Sequence, residues 1–269
     1  MEKKERIDIL LVEKGLIETR EKAKRTIMAG LVFVNGERID KPGTKVKCDS
    51  QVELKGQSIP YVSRGGLKLE KAIEVFQLNL NHAVVLDIGA STGGFTDCAL
   101  QNGAKLVYAL DVGYNQLAWK LRQDERVIVM ERTNFRYVTE DDFPHGIPDF
   151  ATIDVSFISL KLILPVLKSL LKKGGQVSAL VKPQFEAGRE EVGKKGIIRD
   201  KKVHIRVLEE IIQFANEVGF NIEGATSSPI KGGEGNIEFL LHLSNPEIVE
   251  NEWNINVAQV VQEAHQKSQ

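Results

Sequence analysis

Four side chains carry the strongest chemical signal in this chain: Lys68, Asp154, Lys182 and Glu238. Asp154 follows an apolar run at 150–153, and Lys182 follows another at 176–181, just before Pro183. If both runs are parallel strands, both residues sit at carboxyl ends, where such sheets build their sites. Lys68 falls on a predicted helix after a linker, and Glu238 on the predicted final strand. Two lysines and two carboxylates at one place suit attack of a hydroxyl on an electrophilic methyl group. A hydroxyl is a poor nucleophile until a base takes its proton. A lysine can be that base if desolvation and a second cation lower its pKa, while the carboxylates orient it. The competing reading is a set of separate surface ion pairs, which are common and weak. Spacing alone favours that reading for Lys68 and Glu238, and the site for Asp154 and Lys182.

A second signal lies upstream. Val84-Val85-Leu86-Asp87-Ile88-Gly89-Ala90-Ser91-Thr92-Gly93-Gly94-Phe95 reads as a strand, a glycine-rich turn and a helix start. Doubly wound folds bind nucleotide-like ligands at such turns. A dinucleotide fingerprint needs glycine where Ser91 stands, so close approach to a pyrophosphate is disfavoured. Asp87 argues against a polyanion too, and suits a ligand with an ammonium and a sulfonium. Asp111 ends the next strand, where a carboxylate accepts both hydroxyls of an adenosine ribose. Together these features predict S-adenosylmethionine as cofactor, held by Asp87, Gly89, Ser91, Gly93, Gly94, Phe95 and Asp111. The alternative is a tight turn in a non-binding domain of the same shape.

The elements that must position these groups follow from hydropathy. Strand-like runs at 83–88, 106–111, 127–130, 150–155 and 176–181 alternate with helical stretches at 115–123, 160–171 and 201–218. That alternation predicts an α/β fold whose mostly parallel sheet is covered on both faces. Runs at 220–223 and 236–243 have only a Gly/Ser/Pro loop between them, so the last strand returns antiparallel. The tail from about Asn245 is polar, weakly helical and expected to fray.

The first 62 residues differ. Ile7, Leu10 and Leu11 recur at helical spacing, and a second helix spans 19–29 before Gly30. Val32 and Val34 alternate up to Asn35-Gly36, a strong hairpin turn, and Val46, Val52 and Leu54 suggest more strands. Residues 59–66 read as a linker because Pro60 and the Gly65-Gly66 pair interrupt regular structure. The predicted organisation is therefore a small α+β domain at 1–62, a large domain at 67–245 and a polar tail at 246–269.

Composition adds limits. Residues 1–62 hold 13 Lys/Arg against 10 Asp/Glu, whereas the remainder holds 23 against 27. Arg20 and Lys24 lie one helical turn apart, with Lys22 and Arg25 nearby, and Lys4, Arg6 and Lys41 extend the basic set. Such a cluster neutralises RNA phosphates without reading sequence; the competing reading is a solvated helix face. No apolar stretch approaches the ~20 residues of a membrane span, and residues 1–6 lack a signal-peptide core, which predicts a cytoplasmic protein. Cys48 and Cys98 read as plain thiols in a reducing compartment. His82, His145 and His204 read as surface or loop residues, with no metal-ligand spacing.

The order Lys68, Asp154, Lys182, Glu238 around this loop resembles the Lys-Asp-Lys-Glu tetrad of FtsJ-like 2′-O-ribose methyltransferases. Ser63-Arg64-Gly65-Gly66-Leu67-Lys68, Glu131-Arg132-Thr133-Asn134, Asp154-Val155-Ser156-Phe157-Ile158-Ser159, Val181-Lys182-Pro183-Gln184-Phe185-Glu186 and Gly235-Asn236-Ile237-Glu238 resemble the TlyA family. Residues 6–36 resemble the RNA-binding module of ribosomal protein S-four. The resemblance covers nearly the whole chain in order. Tyr61 departs from it, standing where some members carry tryptophan. The resemblance implies a class I (Rossmann-like) methyltransferase fold with a small N-terminal RNA-binding domain. It implies S-adenosylmethionine-dependent 2′-O-methylation of cytidine in ribosomal RNA, with ribosomal RNA or subunits as partner. It adds Asn134 and Asp154 to the cofactor set and all four tetrad members to the catalytic one. Two other functions compete: an RNA-binding protein with an inactive methyltransferase domain, and a membrane-damaging haemolysin, after an old label of the family. The intact tetrad speaks against the first. The lack of a span, a signal peptide and a strongly amphipathic basic helix speaks against the second.

Overall fold

The computed structural model describes residues 4–28, 30–55, 59–193, 196–232, 235–250 and 252–266. The end of the helix predicted over 19–29, at Ala29, lies outside them. The chain divides into two compact units, Met1–Arg64 and Gly65–Gln269.

The first unit runs β1 (Lys4–Arg6), α1 (Ile7–Glu13), α2 (Arg20–Met28), β2 (Val32–Val34), β3 (Glu37–Ile39), β4 (Lys45–Lys47) and β5 (Val52–Leu54). Its sheets are short: β3-β2-β5 in one and β1-β4 in the other, all antiparallel. Asn35 and Gly36 both take positive φ (51° and 83°), the type I′ geometry that matches strand twist. Ile7, Leu10, Leu11, Ala23 and Ile27 bury one face of each helix against Val32, Val34 and Val46.

The second unit opens with α3 (Gly65–Phe76) and continues β6 (Val84–Ile88), α4 (Gly94–Gln101), β7 (Leu106–Leu110), α5 (Trp119–Arg122), β8 (Val127–Met130), β9 (Phe150–Ile153), α6 (Leu164–Leu170), β10 (Gln176–Val181), α7 (Pro183–Glu186), α8 (Lys201–Val218), β11 (Asn221–Ser227), β12 (Phe239–Ser244) and α9 (Val257–Gln266). The sheet order is β11-β12-β10-β9-β6-β7-β8. Strands β10, β9, β6, β7 and β8 are parallel, and β12 runs antiparallel to both neighbours, as the sequence implies. Chain order reverses between β6 and β9, so a crevice opens beyond their carboxyl ends. Helix α8 shows why a sequence period becomes a packed element. Val207, Leu208, Ile211, Ile212 and Ala215 recur every three or four residues and are buried. The Asp200 side chain accepts the Lys202 amide at its start, and Gly219, at φ 104°, ends it.

Five expectations are corrected. Gly65 and Gly66 do not interrupt structure; they begin α3, because burial of Gly66, Lys68, Leu69 and Ala72 outweighs glycine's poor propensity. The helix predicted over 115–123 shrinks to α5, because the Glu131 carboxylate accepts the backbone amides of Asn115, Gln116 and Leu117 and holds that segment as a loop. Glu238 precedes β12 rather than lying on it. The tail does not simply fray: Val257, Val261 and Ala264 form an apolar stripe that docks α9 into the main core. His204 is no surface residue; it is fully buried on α8, with Nδ1 2.9 Å from Nε2 of His265 on α9. His82 and His145 are exposed.

Candidate active site and RNA-facing surface

The crevice of the second unit is built where four strand ends meet loops. Gly89 follows β6 at φ 88°, and a Cβ there would lie 2.5 Å from the Asp154 carbonyl oxygen. Only glycine lets these two strand ends approach so closely. The Asp154 amide donates to the Ile88 carbonyl at 3.0 Å, and the Gly89 amide to Leu110 at 2.9 Å. Beyond β7, Asp111 accepts the Ser91 amide on one oxygen and the Gly113 amide on the other, each at 2.7 Å. The resulting cavity has a volume of about 320 Å³ and a mostly apolar wall, within the size range of small-molecule sites.

The two lysines and two carboxylates converge beside it. Lys182 Nζ stands 2.5 Å from one Asp154 oxygen and donates to Ser156 Oγ at 3.0 Å. Lys68 Nζ stands 3.4 Å from the other Asp154 oxygen and 2.8 Å from Glu238. Asp154 thus bridges both ammonium groups. Lys68, Lys182 and Glu238 are buried. Burial alone would lower the Lys68 pKa, but Asp154 and Glu238 together raise it above the ordinary lysine value. Lys68 is therefore a fixed cation. Lys182 touches one carboxylate and a hydroxyl, where Lys68 touches two carboxylates. Gly232 makes room for Glu238: a Cβ at that position would stand 2.0 Å from its carboxylate.

Among the cofactor residues expected from sequence, Gly89, Ser91, Asp111, Asn134 and Asp154 line the cavity. Asp87 does not. It is buried beneath the turn, where Thr96 Oγ1 donates to one oxygen at 2.6 Å and Thr152 Oγ1 to the other at 2.9 Å. Burial pushes its carboxyl up to about 6, against those two hydroxyls. Gly93, Gly94 and Phe95 shape the turn and the start of α4 without lining the cavity; Gly93 lies against Leu117 and Leu121. Sequence reasoning missed Gln116, Phe135 and Phe157 in the wall. Phe157 takes φ 64° and is 91% exposed, with its ring 4.9 Å from that of Phe185. A positive φ is strained for so bulky a side chain, and it cannot be read from residue type. Glu186 was missed as well. It accepts Ser159 Oγ at 2.5 Å and the Leu160 amide at 2.8 Å, tying the loop after β9 to α7. Among the described residues no group of His, Cys, Asp and Glu could hold a metal ion, and no helix is long and apolar enough to cross a membrane.

The basic residues of the first unit are less uniform than the sequence suggests. Lys4, Lys24 and Lys41 are exposed. Lys22 pairs with Glu18 at 3.2 Å. Arg6 and Arg20 both pair with the buried Asp8.

The FtsJ-like methyltransferase family model matches residues 61–245, and the S4 domain model matches residues 5–52. The protein YqxC of Bacillus subtilis is 63% identical over 98% of this chain and 95% of its own length. The Mycobacterium tuberculosis protein named 16S/23S rRNA (cytidine-2′-O)-methyltransferase TlyA is 41% identical over 90% of this chain and 91% of its own. A solved structure from Streptococcus thermophilus superposes with a TM-score of 0.80 at 57% identity, covering 99% of this chain and 98% of that one.

Proposed function

This chain belongs to the FtsJ-like methyltransferase family, and on that premise we propose that it methylates the 2′-hydroxyl of cytidine ribose in ribosomal RNA, using S-adenosylmethionine. The observation that carries the reading is the continuous Glu238–Lys68–Asp154–Lys182 chain at the edge of the cavity. The cavity fits the cofactor. The turn at Gly89 lines the cavity without a side chain to fill it, and each Asp111 oxygen keeps a lone pair for a ribose hydroxyl after accepting one amide. Gly89, Ser91, Asp111, Gln116, Asn134 and Phe135 would hold it. When bound, S-adenosylmethionine supplies an electrophilic methyl group on a sulfonium.

The residues of this chain do the rest. Lys182, once its ammonium has lost a proton to solvent, takes the proton from the ribose hydroxyl as that oxygen bonds to the methyl carbon and the carbon–sulfur bond of the donor breaks. Asp154 fixes Lys182 in place with one oxygen and Lys68 with the other. Glu238 completes the neutralisation of Lys68. Asp87 acts through Thr96 and Thr152, holding the turn against β9 rather than touching ligand. The first unit supplies RNA affinity through Lys4, Arg6, Arg20, Lys22, Lys24, Arg25 and Lys41, and takes no part in the chemistry. The partner is ribosomal RNA or a ribosomal subunit, which places the reaction in the cytoplasm. Mapping 2′-O-methylation across ribosomal RNA, with and without the gene, tests the reading. One or more cytidines should lose the modification when the gene is absent; an unchanged map would overturn it.

A further inference from the structure

Asp8 is a carboxylate that RNA cannot reach. Its exposure is 0%, it lies on the first turn of α1, and it faces two arginines. Arg6 grips it with both edges of a fork, Nε on one oxygen at 2.9 Å and Nη2 on the other at 3.1 Å. Arg20, from the start of α2, donates Nε to the second oxygen at 2.9 Å. Both arginine side chains keep about half their surface in solvent, 40% and 50%. A guanidinium has five N–H donors. Asp8 takes two from Arg6 and one from Arg20, so each retains donors on its Nη groups. The Arg6 contact holds the Asp8 carboxyl far below its ordinary value, at about 2, so the anion persists at every working pH.

The surroundings are cationic. Strands β1 and β4 place Lys4 opposite Lys47 and Arg6 opposite Lys45. Directly opposed like charges repel across a ladder, and at the Arg6 end the buried Asp8 carboxylate offsets that repulsion. Neither Lys45 nor Lys47 stands out in the sequence, because their pairing with β1 spans some forty residues.

We infer that Asp8 is a positioning residue, presetting Arg6 and Arg20 as one pair of forks for the phosphates of RNA. The inference rests on the reading of the first unit as the RNA-binding unit. Its physical basis is entropy: a long flexible arginine loses rotamer freedom when it grips a phosphate, and one already fixed by a buried carboxylate loses less. It carries a sign that simple charge counting does not. Two guanidinium groups and one carboxylate sum to +1, and Asp8→Asn raises this to +2. Charge counting therefore predicts tighter RNA binding by Asp8→Asn, whereas presetting predicts weaker binding.

The test is filter binding of the full chain to unmodified large-subunit ribosomal RNA made by transcription, over a range of salt. Asp8→Asn should weaken binding by roughly tenfold and flatten its salt dependence, as lost phosphate contacts require. Arg6→Lys and Arg20→Lys keep every charge and leave Asp8 paired, so they protect the test if Asp8→Asn fails to fold. Presetting predicts that each also weakens binding, because lysine is a point charge without a fork. Tighter binding by a folded Asp8→Asn, or wild-type binding by both lysine variants, overturns the inference. The double variant Arg6→Ala, Arg20→Ala separates the two levels. If it binds normally, the assignment of RNA affinity to this face is wrong, and Asp8 falls with it. If it binds weakly while Asp8→Asn binds tightly, only the role of Asp8 is lost.

Discussion

The two units use charge in opposite ways. At the tetrad, two cations and two anions cancel within one buried chain, and each lysine has a carboxylate within 3.4 Å. On the first unit, cations outnumber anions, most stand in solvent, and the buried Asp8 serves two half-exposed arginines. Charges buried and paired at short range are weakly screened, whereas exposed ones lose most of their reach beyond ~8 Å at physiological salt. The chemistry should therefore depend on ångström-scale geometry and little on ionic strength. RNA affinity should depend strongly on ionic strength.

The sharpest way to break this contrast is Lys182→Arg. It keeps the charge and the partner Asp154 but cannot give up a proton. Single-turnover methylation should fall ~10²–10⁴-fold, while calorimetry finds cofactor affinity unchanged. Near-normal turnover would mean that Lys182 only holds the ribose. The counterpart on the other unit is Arg20→Ala with Lys24→Ala. Binding should weaken by roughly tenfold or more, and the slope of log affinity on log salt should fall by ~1.4–1.8, as two lost phosphate contacts predict. Turnover of RNA already bound should not change.

Asp111→Ala comes next. It leaves cofactor hydroxyls and the amides of Ser91 and Gly113 without their acceptor, so cofactor affinity should drop by ~1–3 kcal/mol. Unchanged calorimetry would remove Asp111 from the cofactor site. The smallest effect on activity concerns the His204–His265 contact. Burial and the neighbouring His265 lower the His204 pKa to about 4. A histidine whose folded value is depressed stabilises the fold while neutral. That contribution is full above the unfolded value of ~6.5 and is lost as pH falls toward about 4. Thermal unfolding should show stability declining across that window, and His204→Phe should flatten the decline at neutral-pH activity near wild type. An identical acid profile in the variant would assign the decline elsewhere.

How much of this was legible depended on how local the cause was. Strands β8 and β10 and helix α8 match their apolar runs because burial on two faces, or on one helical stripe, writes itself into consecutive residues. Asp154 and Lys182 were placed correctly for the same reason: each terminates such a run. Lys68 and Glu238 were not reachable by spacing. They are 170 residues apart and meet through the fold, so only resemblance to a family pointed to them. The loop replacing the helix at 115–123 depends on Glu131, a residue from another strand end. Asp87 misled in a different way. Its type and place suit a ligand contact, but it is buried beneath the turn, bonded to two threonine hydroxyls nine and 65 residues away, and does not line the cavity. Helix α9 hid because only Val257, Val261 and Ala264, every third or fourth residue of a largely polar tail, are buried.

This chain should methylate ribose, with the neutral amine of Lys182 taking the proton. Purified protein is incubated with unmodified ribosomal subunits and methyl-labelled S-adenosylmethionine, and the RNA is digested to nucleosides. The label should appear as 2′-O-methylcytidine with the wild type and be nearly absent with Lys182→Arg. Label on a base, on another nucleoside, or at equal yield with Lys182→Arg would contradict the account.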